Sequence, residues 1–202
     1  MEGQLLWLCF TVGLVAIVVN GVGVLVTMFT DHRYWPPGER DWRFYLHWTL
    51  SQTFTVALPV VTYLDWNTLG LPRPATLYVG LGVFVPFYAA AVAAGFDLGM
   101  DETKGLTGDL RTGGWYRFSR NPQYVCYAVA TVGFALFANS VFATVLCACY
   151  FAWWLVLPFA EEPWLREEYG EAYDRYAARV PRFVGLRSLR ALTGLDDDGQ
   201  AT

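Results

Sequence analysis

Two short polar stretches hold the side chains of this chain best placed to do chemistry together. The first is Gly113-Gly114-Trp115-Tyr116-Arg117-Phe118-Ser119-Arg120-Asn121-Pro122-Gln123-Tyr124. The second is Glu161-Glu162-Pro163-Trp164-Leu165, continuing to Tyr169-Gly170 and Tyr173. Arg120 offers a fixed charge, Asn121 an amide, Tyr116 an aromatic face and Glu161 a carboxylate. Pro122 suits the first turn of a helix, where the leading backbone N–H groups have no partner within the helix. This set suits a ligand with an anionic end, an adenine-like ring and a cationic or hydroxylated middle. The competing reading is structural. Arg117 and Arg120 would be interfacial anchors beside Trp115 and Tyr116, and Glu161 and Glu162 would cap a helix.

The elements around these stretches must bring them together. Between Tyr124 and Glu161 lie 36 residues without a formal charge. At about 20 residues per crossing, that run can traverse a bilayer and return. The fold-back is expected near Ala138-Asn139-Ser140, so the two stretches meet at one membrane face. Three further apolar runs precede them: Gln4 to Thr30, Trp42 to Leu64 and Ala75 to Phe96. Only Glu2 precedes the first, without a basic leader or a clear cleavage site, so it reads as a retained transmembrane helix. Gly13, Gly21 and Gly23 suit close helix packing there. His47 sits in the second run, where a hydrogen bond to a neighbouring helix is expected.

Composition agrees with this picture. The chain has 202 residues, of which 55% are hydrophobic and 17% aromatic. That is the membrane class. A net charge of −4 and the lack of a basic run argue against a nucleic-acid partner. Cys9, Cys126, Cys147 and Cys149 all lie in apolar runs. Cys147 and Cys149 point about 200° apart on a helix and cannot share a metal, so no metal site is expected.

The expected fold class is therefore all-α. It is a polytopic membrane protein with about five transmembrane helices, a C-terminal helical hairpin and a cytosolic amphipathic helix. That last helix is read over Glu162 to Val180, with Pro163 in its first turn and Leu165, Tyr169, Ala172, Tyr173, Tyr176 and Val180 on one stripe. Three units follow: residues 1–96 with three helices, 97–183 with the loop, hairpin and amphipathic helix, and a partly disordered tail over 184–202. With five spans, one face carries every Lys and Arg except Arg73. By the positive-inside rule that face is cytosolic, the N-terminus is outside and the C-terminus inside. The expected location is the cell membrane.

The pattern Leu110, Gly114, Tyr116-Arg117, Ser119 to Tyr124, Glu161-Glu162, Leu165, Tyr169-Gly170, Tyr173, Tyr176 and Arg179-Val180-Pro181-Arg182 resembles the isoprenylcysteine carboxyl methyltransferase family. These are integral-membrane methyltransferases, similar in turn to phospholipid N-methyltransferases. The match runs from about Leu98 to Phe183, with order and spacing kept. The resemblance implies a cytosol-facing pocket for S-adenosylmethionine. Carried over, its cofactor contacts are Gly108, Asp109, Leu110, Arg111, Tyr116, Asn121, Pro122, Gln123, Tyr124 and Glu161. Arg120 or Arg179 would hold an anionic substrate group, and Glu162 would be the base for an amine acceptor. The acceptor would be a lipid or lipophilic small molecule arriving from the bilayer.

Three positions depart from the family pattern. Asn121 stands where His is frequent, and Cys126 where Gly is usual. Leu157 stands where the prenylcysteine enzymes carry an Arg for the substrate carboxylate, which counts against a prenylcysteine substrate but leaves a lipid or other prenylated acceptor open. A related architecture belongs to NADPH-dependent reductases of the sterol-reductase type, whose motif is closer to Arg-His-Pro-Asn-Tyr than to the Arg120-Asn121-Pro122-Gln123-Tyr124 here. A non-enzymatic membrane protein keeping the same fold is the third reading.

Overall fold

A computed structural model describes residues 1–185 and Ser188. Among these, the chain is all-helical and contains no strand. The α-helices are α1 (Glu2–Phe29), α2 (Trp42–Leu64), α3 (Ala75–Leu98), α4 (Pro122–Ala138), α5 (Val141–Tyr169) and α6 (Glu171–Arg179). The expected disordered tail, Asp196 to Thr202, lies outside the described residues.

Among the described residues, three helices are long and apolar enough to cross a membrane: α1, α3 and α5. Helix α2 has 23 residues, but His47, Ser51, Gln52 and four threonines dilute its hydropathy. Helix α4 is apolar but has 17 residues. Valines at 15, 22, 56, 79 and 85 are exposed on the outer surfaces of these helices. Apolar side chains facing outward this way suit a lipid surround.

Helix α3 packs closely on α4, α1 packs on α2 and α5, and α4 packs on α5. The α3–α4 contact is backbone to backbone. A Cβ on Gly133 would lie 2.5 Å from the Phe84 nitrogen, and one on Gly80 would lie 2.7 Å from the Phe137 Cα. In α1, Gly13 faces Ala57 and Gly23 faces the Tyr34 ring, whereas Gly21 faces open space. The sequence expectation of close packing at Gly21 is therefore corrected.

The amphipathic C-terminal helix is also corrected. Helix α5 does not stop at Ala160 but runs on through Pro163 to Tyr169. The break comes at Gly170, whose φ of 51° lies in the left-handed region that glycine reaches without strain. Only the nine residues of α6 follow as a separate helix.

Between α4 and α5 the chain turns at Asn139, with φ 48°. Its amide donates to Asn67 Oδ1 at 2.6 Å and to the Leu71 carbonyl at 3.0 Å. Asp65 accepts from Ser140 Oγ at 2.6 Å and from the Phe142 N–H at 3.0 Å. These bonds tie the α2–α3 loop to the α4–α5 turn. At the other end, Gly38 exchanges backbone hydrogen bonds with Gly105 and Thr107, joining the α1–α2 loop to the α3–α4 loop.

Candidate functional site

The α1–α2 loop folds back because Thr27 Oγ1 accepts from two of its N–H groups, Tyr34 at 2.8 Å and Trp35 at 3.1 Å. Tyr34 then donates through its hydroxyl to Asn20 Oδ1 at 2.8 Å, and Asn20 donates to Ser51 Oγ at 2.9 Å. The loop is thus pinned to both α1 and α2. Trp35 is carried to α5, where its indole Nε1 donates to Glu161 Oε1 at 2.6 Å. The Tyr124 hydroxyl donates to the same oxygen from the first turn of α4. Glu161 therefore rests on two neutral donors, with no ion pair among the described residues.

Glu162 faces the opposite way. It is buried, and Arg182 holds it with two hydrogen bonds, at 2.6 and 2.7 Å. Arg120 adds an ion pair at 2.9 Å and Arg166 one at 3.7 Å. A carboxylate among three guanidinium groups strongly prefers its charged form. The geometry therefore opposes the expected role of Glu162 as a proton acceptor and makes it the tie between α5 and the segment after α6.

That segment closes over the Arg120 loop. The Arg182 carbonyl accepts from Ser119 Oγ at 3.2 Å and from Asn121 Nδ2 at 3.0 Å. The Arg120 N–H donates to the Pro181 carbonyl at 2.9 Å, and Tyr176 donates to the Tyr116 carbonyl at 2.7 Å. Burial pushes the Tyr116 phenol well above its ordinary range, with the Glu161 charge acting in the same direction. Burial and the neighbouring Tyr173 do the same to Tyr176. Both hydroxyls remain protonated donors at any working pH.

A cleft lies among these groups. Asp109, Leu110, Arg111, Tyr116, Asn121, Gln123, Tyr124 and Glu161 all line it, as does Arg120. Gly108 stands beside it, with its carbonyl accepting from Tyr169 at 2.8 Å. Pro122 is the first residue of α4 and does not line it. Arg179 is not brought there either: it is exposed on α6, and its Nε donates to the Arg175 carbonyl. Arg120 is nearly buried, gives Nη1 to Tyr173 and Glu162, and keeps Nε buried with no partner among the described residues. Sequence reasoning missed Pro36, Leu106 and Trp164, which complete the walls, and Trp35. The aromatic and proline content of the α1–α2 loop hinted at Trp35 and Pro36, Trp164 stood unassigned in the second polar stretch, and nothing in the sequence singled out Leu106.

Gln123 and Tyr124 also line a second, more apolar cavity of about 460 Å³ on the bundle side. It lies between α2, α3, α4 and α5. His47 is on its wall, stacked on Trp35 at 3.9 Å between ring centroids, and its Nδ1 has no hydrogen-bond partner. Stacking, rather than the expected hydrogen bond to a neighbouring helix, holds that ring.

No curated protein and no solved structure matches the chain. The model of the phospholipid methyltransferase family matches residues 75–172, from the first residue of α3 to just past Gly170. That family is related to the isoprenylcysteine carboxyl methyltransferases. Helices α3, α4 and α5, which carry Gln123, Tyr124 and Glu161, thus lie in the stretch that resembles the phospholipid methyltransferase family, a likeness that supports a membrane methyltransferase.

Proposed function

We propose that this protein is an integral-membrane methyltransferase that uses S-adenosylmethionine and methylates a lipid or lipophilic acceptor at the cytosolic face. The observation that carries this reading is Glu161: a carboxylate at a cleft, held by the neutral donors Trp35 and Tyr124 and lacking a cationic partner among the described residues. Such a group suits a sulfonium. Arg120 supports the same ligand from the other side, since its buried, unpartnered Nε suits a carboxylate. Tyr116, Tyr173 and Leu165 offer faces for an adenine ring. The cleft encloses about 90 Å³, less than the whole cofactor needs, so binding requires it to widen.

Bound there, S-adenosylmethionine supplies a methyl group on a positively charged sulfur that is already a good leaving group. The protein's task is then placement and exclusion of water. Glu161 orients the positive centre. Gln123 and Tyr124 stand between the cleft and the aromatic cavity, where an acceptor can approach from the bundle side. In this reading Glu162 positions Arg120 and Arg182 rather than taking a proton, and Arg120 alone holds an anionic group. The five-span arrangement, with α4 and α5 as a membrane hairpin and the arginine-rich loops in the cytosol, belongs to the same proposal.

The test is transfer of labelled methyl from S-adenosylmethionine into the organic phase by purified protein in liposomes made from a total membrane lipid extract. Label should enter the lipid fraction with the native chain and not with Glu161→Gln. Equal transfer by both would contradict the reading.

A further inference from the structure

The aromatic cavity differs from the cleft in its charge. The cleft is lined by Glu102, Asp109, Arg111, Arg120 and Glu161, whereas among the described residues no Asp, Glu, Lys or Arg lines the cavity. Its volume of about 460 Å³ falls in the range of small-molecule sites, about 300–1,000 Å³. Its polar groups are neutral: Ser51, Gln52, Thr55 and Thr131 among them. Three buried polar atoms on its lining side chains have no hydrogen-bond partner among the described residues: His47 Nδ1, Trp153 Nε1 and Trp154 Nε1. An unmade hydrogen bond of this kind costs about 1–3 kcal/mol, which a ligand oxygen relieves once the side chains covering these atoms shift to admit it.

An aromatic wall can also serve a cation, through open ring faces. Here several faces are already covered by other rings. Tyr127 stacks on Trp154 at 4.6 Å, Tyr150 on Trp153 at 5.6 Å, and Trp35 on His47 at 3.9 Å. An anion fares worse, because a phosphate or carboxylate drawn into this lining finds no cation, and a buried unpaired charge is strongly unfavourable. A phospholipid headgroup carries its phosphate only a few bonds from its amine and cannot leave it behind.

We infer that the cavity binds an uncharged lipophilic acceptor whose reacting group is a neutral hydroxyl on an unsaturated or aromatic head, and not a phospholipid headgroup or a carboxylate. This rests on the methyltransferase reading of the adjoining cleft. Trp35 and Tyr124 both line the cavity and both hold Glu161, so the carboxylate stands at the junction. There the acceptor oxygen bonds the methyl carbon as the carbon–sulfur bond breaks, and that bond's electron pair stays on sulfur. The hydroxyl proton passes to the Glu161 carboxylate and is released to water when the products leave.

The test is calorimetric binding to detergent-purified full-length protein saturated with S-adenosylhomocysteine. The probes are a geranyl-substituted phenol, lysophosphatidylethanolamine and N-acetyl-farnesylcysteine. The phenol should bind at least tenfold more tightly than either charged probe. Ala130→Phe fills the cavity from α4 and should weaken phenol binding at least tenfold while S-adenosylhomocysteine affinity stays within twofold. Trp153→Phe is the milder variant, keeping the ring and removing the N–H, and should weaken phenol binding severalfold. Equal or tighter binding of a charged probe, or phenol binding untouched by both substitutions, would overturn the inference with cofactor binding intact. Failure of the native protein to bind S-adenosylhomocysteine would instead strike the methyltransferase reading on which it stands.

Discussion

Trp35 and Glu161 are 126 positions apart in sequence and are joined by a hydrogen bond of 2.6 Å. One lies in the loop after α1 and the other on α5, so the N-terminal half of the chain holds a side chain of the candidate site. Hydrogen bonds to charged groups contribute about 1.5–3 kcal/mol. Trp35→Phe keeps the ring and removes the donor. S-adenosylmethionine binding should weaken by roughly tenfold to a hundredfold, by the same arithmetic. Calorimetric titration checks this, and an unchanged affinity would mean that Tyr124 holds the carboxylate unaided.

Glu161 and Glu162 are neighbours in sequence with opposite surroundings, and substitution should separate them. Glu162→Ala strands Arg120, Arg182 and Arg166 around an empty position. Removing one partner of a buried ion pair costs about 3–5 kcal/mol. Denaturant unfolding in detergent should show that loss. Glu161→Ala removes a carboxylate with no cationic partner among the described residues. It should cost about 1–3 kcal/mol, for the Trp35 and Tyr124 donors left unpaired, and so less than Glu162→Ala, while abolishing cofactor binding, since no buried guanidinium is stranded.

The α3–α4 contact makes a sharper packing prediction. A Cβ at Gly133 would stand 2.5 Å from the backbone nitrogen of Phe84, which cannot swing aside as a side chain can. Gly133→Ala should destabilise the protein by about 1–3 kcal/mol, as overpacked cores do. Gly82 in the same α3 has nothing within 4 Å of its Cβ position. Gly82→Ala should be neutral or slightly stabilising, because alanine favours the helix. Thermal unfolding of the two variants side by side decides the matter.

The parts of the architecture that follow from local chemistry could be read in the sequence. The uncharged run between Tyr124 and Glu161 implied two packed helices, and Asn139 turns the chain between them because asparagine tolerates a positive φ. Helix α2 begins at Trp42 as read, with Asp41 accepting from the Arg43 and Phe44 N–H groups. Features set by tertiary packing were not legible. Nothing in the spacing of Trp35 points to a partner on α5. Pro163 suggested a helix start, yet α5 continues through it, held by Trp164 in the cleft wall and by Glu162 among its arginines. Gly80 and Gly133 matter because two backbones meet there, whereas Gly21 looked equivalent and faces open space.

The account's central claim is that Glu161 and Arg120 frame a site for S-adenosylmethionine. Calorimetric titration of detergent-purified protein with S-adenosylmethionine, S-adenosylhomocysteine and NADPH, alongside Glu161→Gln, tests it most directly. The account predicts saturable binding of the first two, no binding of NADPH, and at least tenfold weaker S-adenosylmethionine binding in the variant. Binding of NADPH alone, or S-adenosylmethionine binding indifferent to the loss of the Glu161 charge, would contradict it.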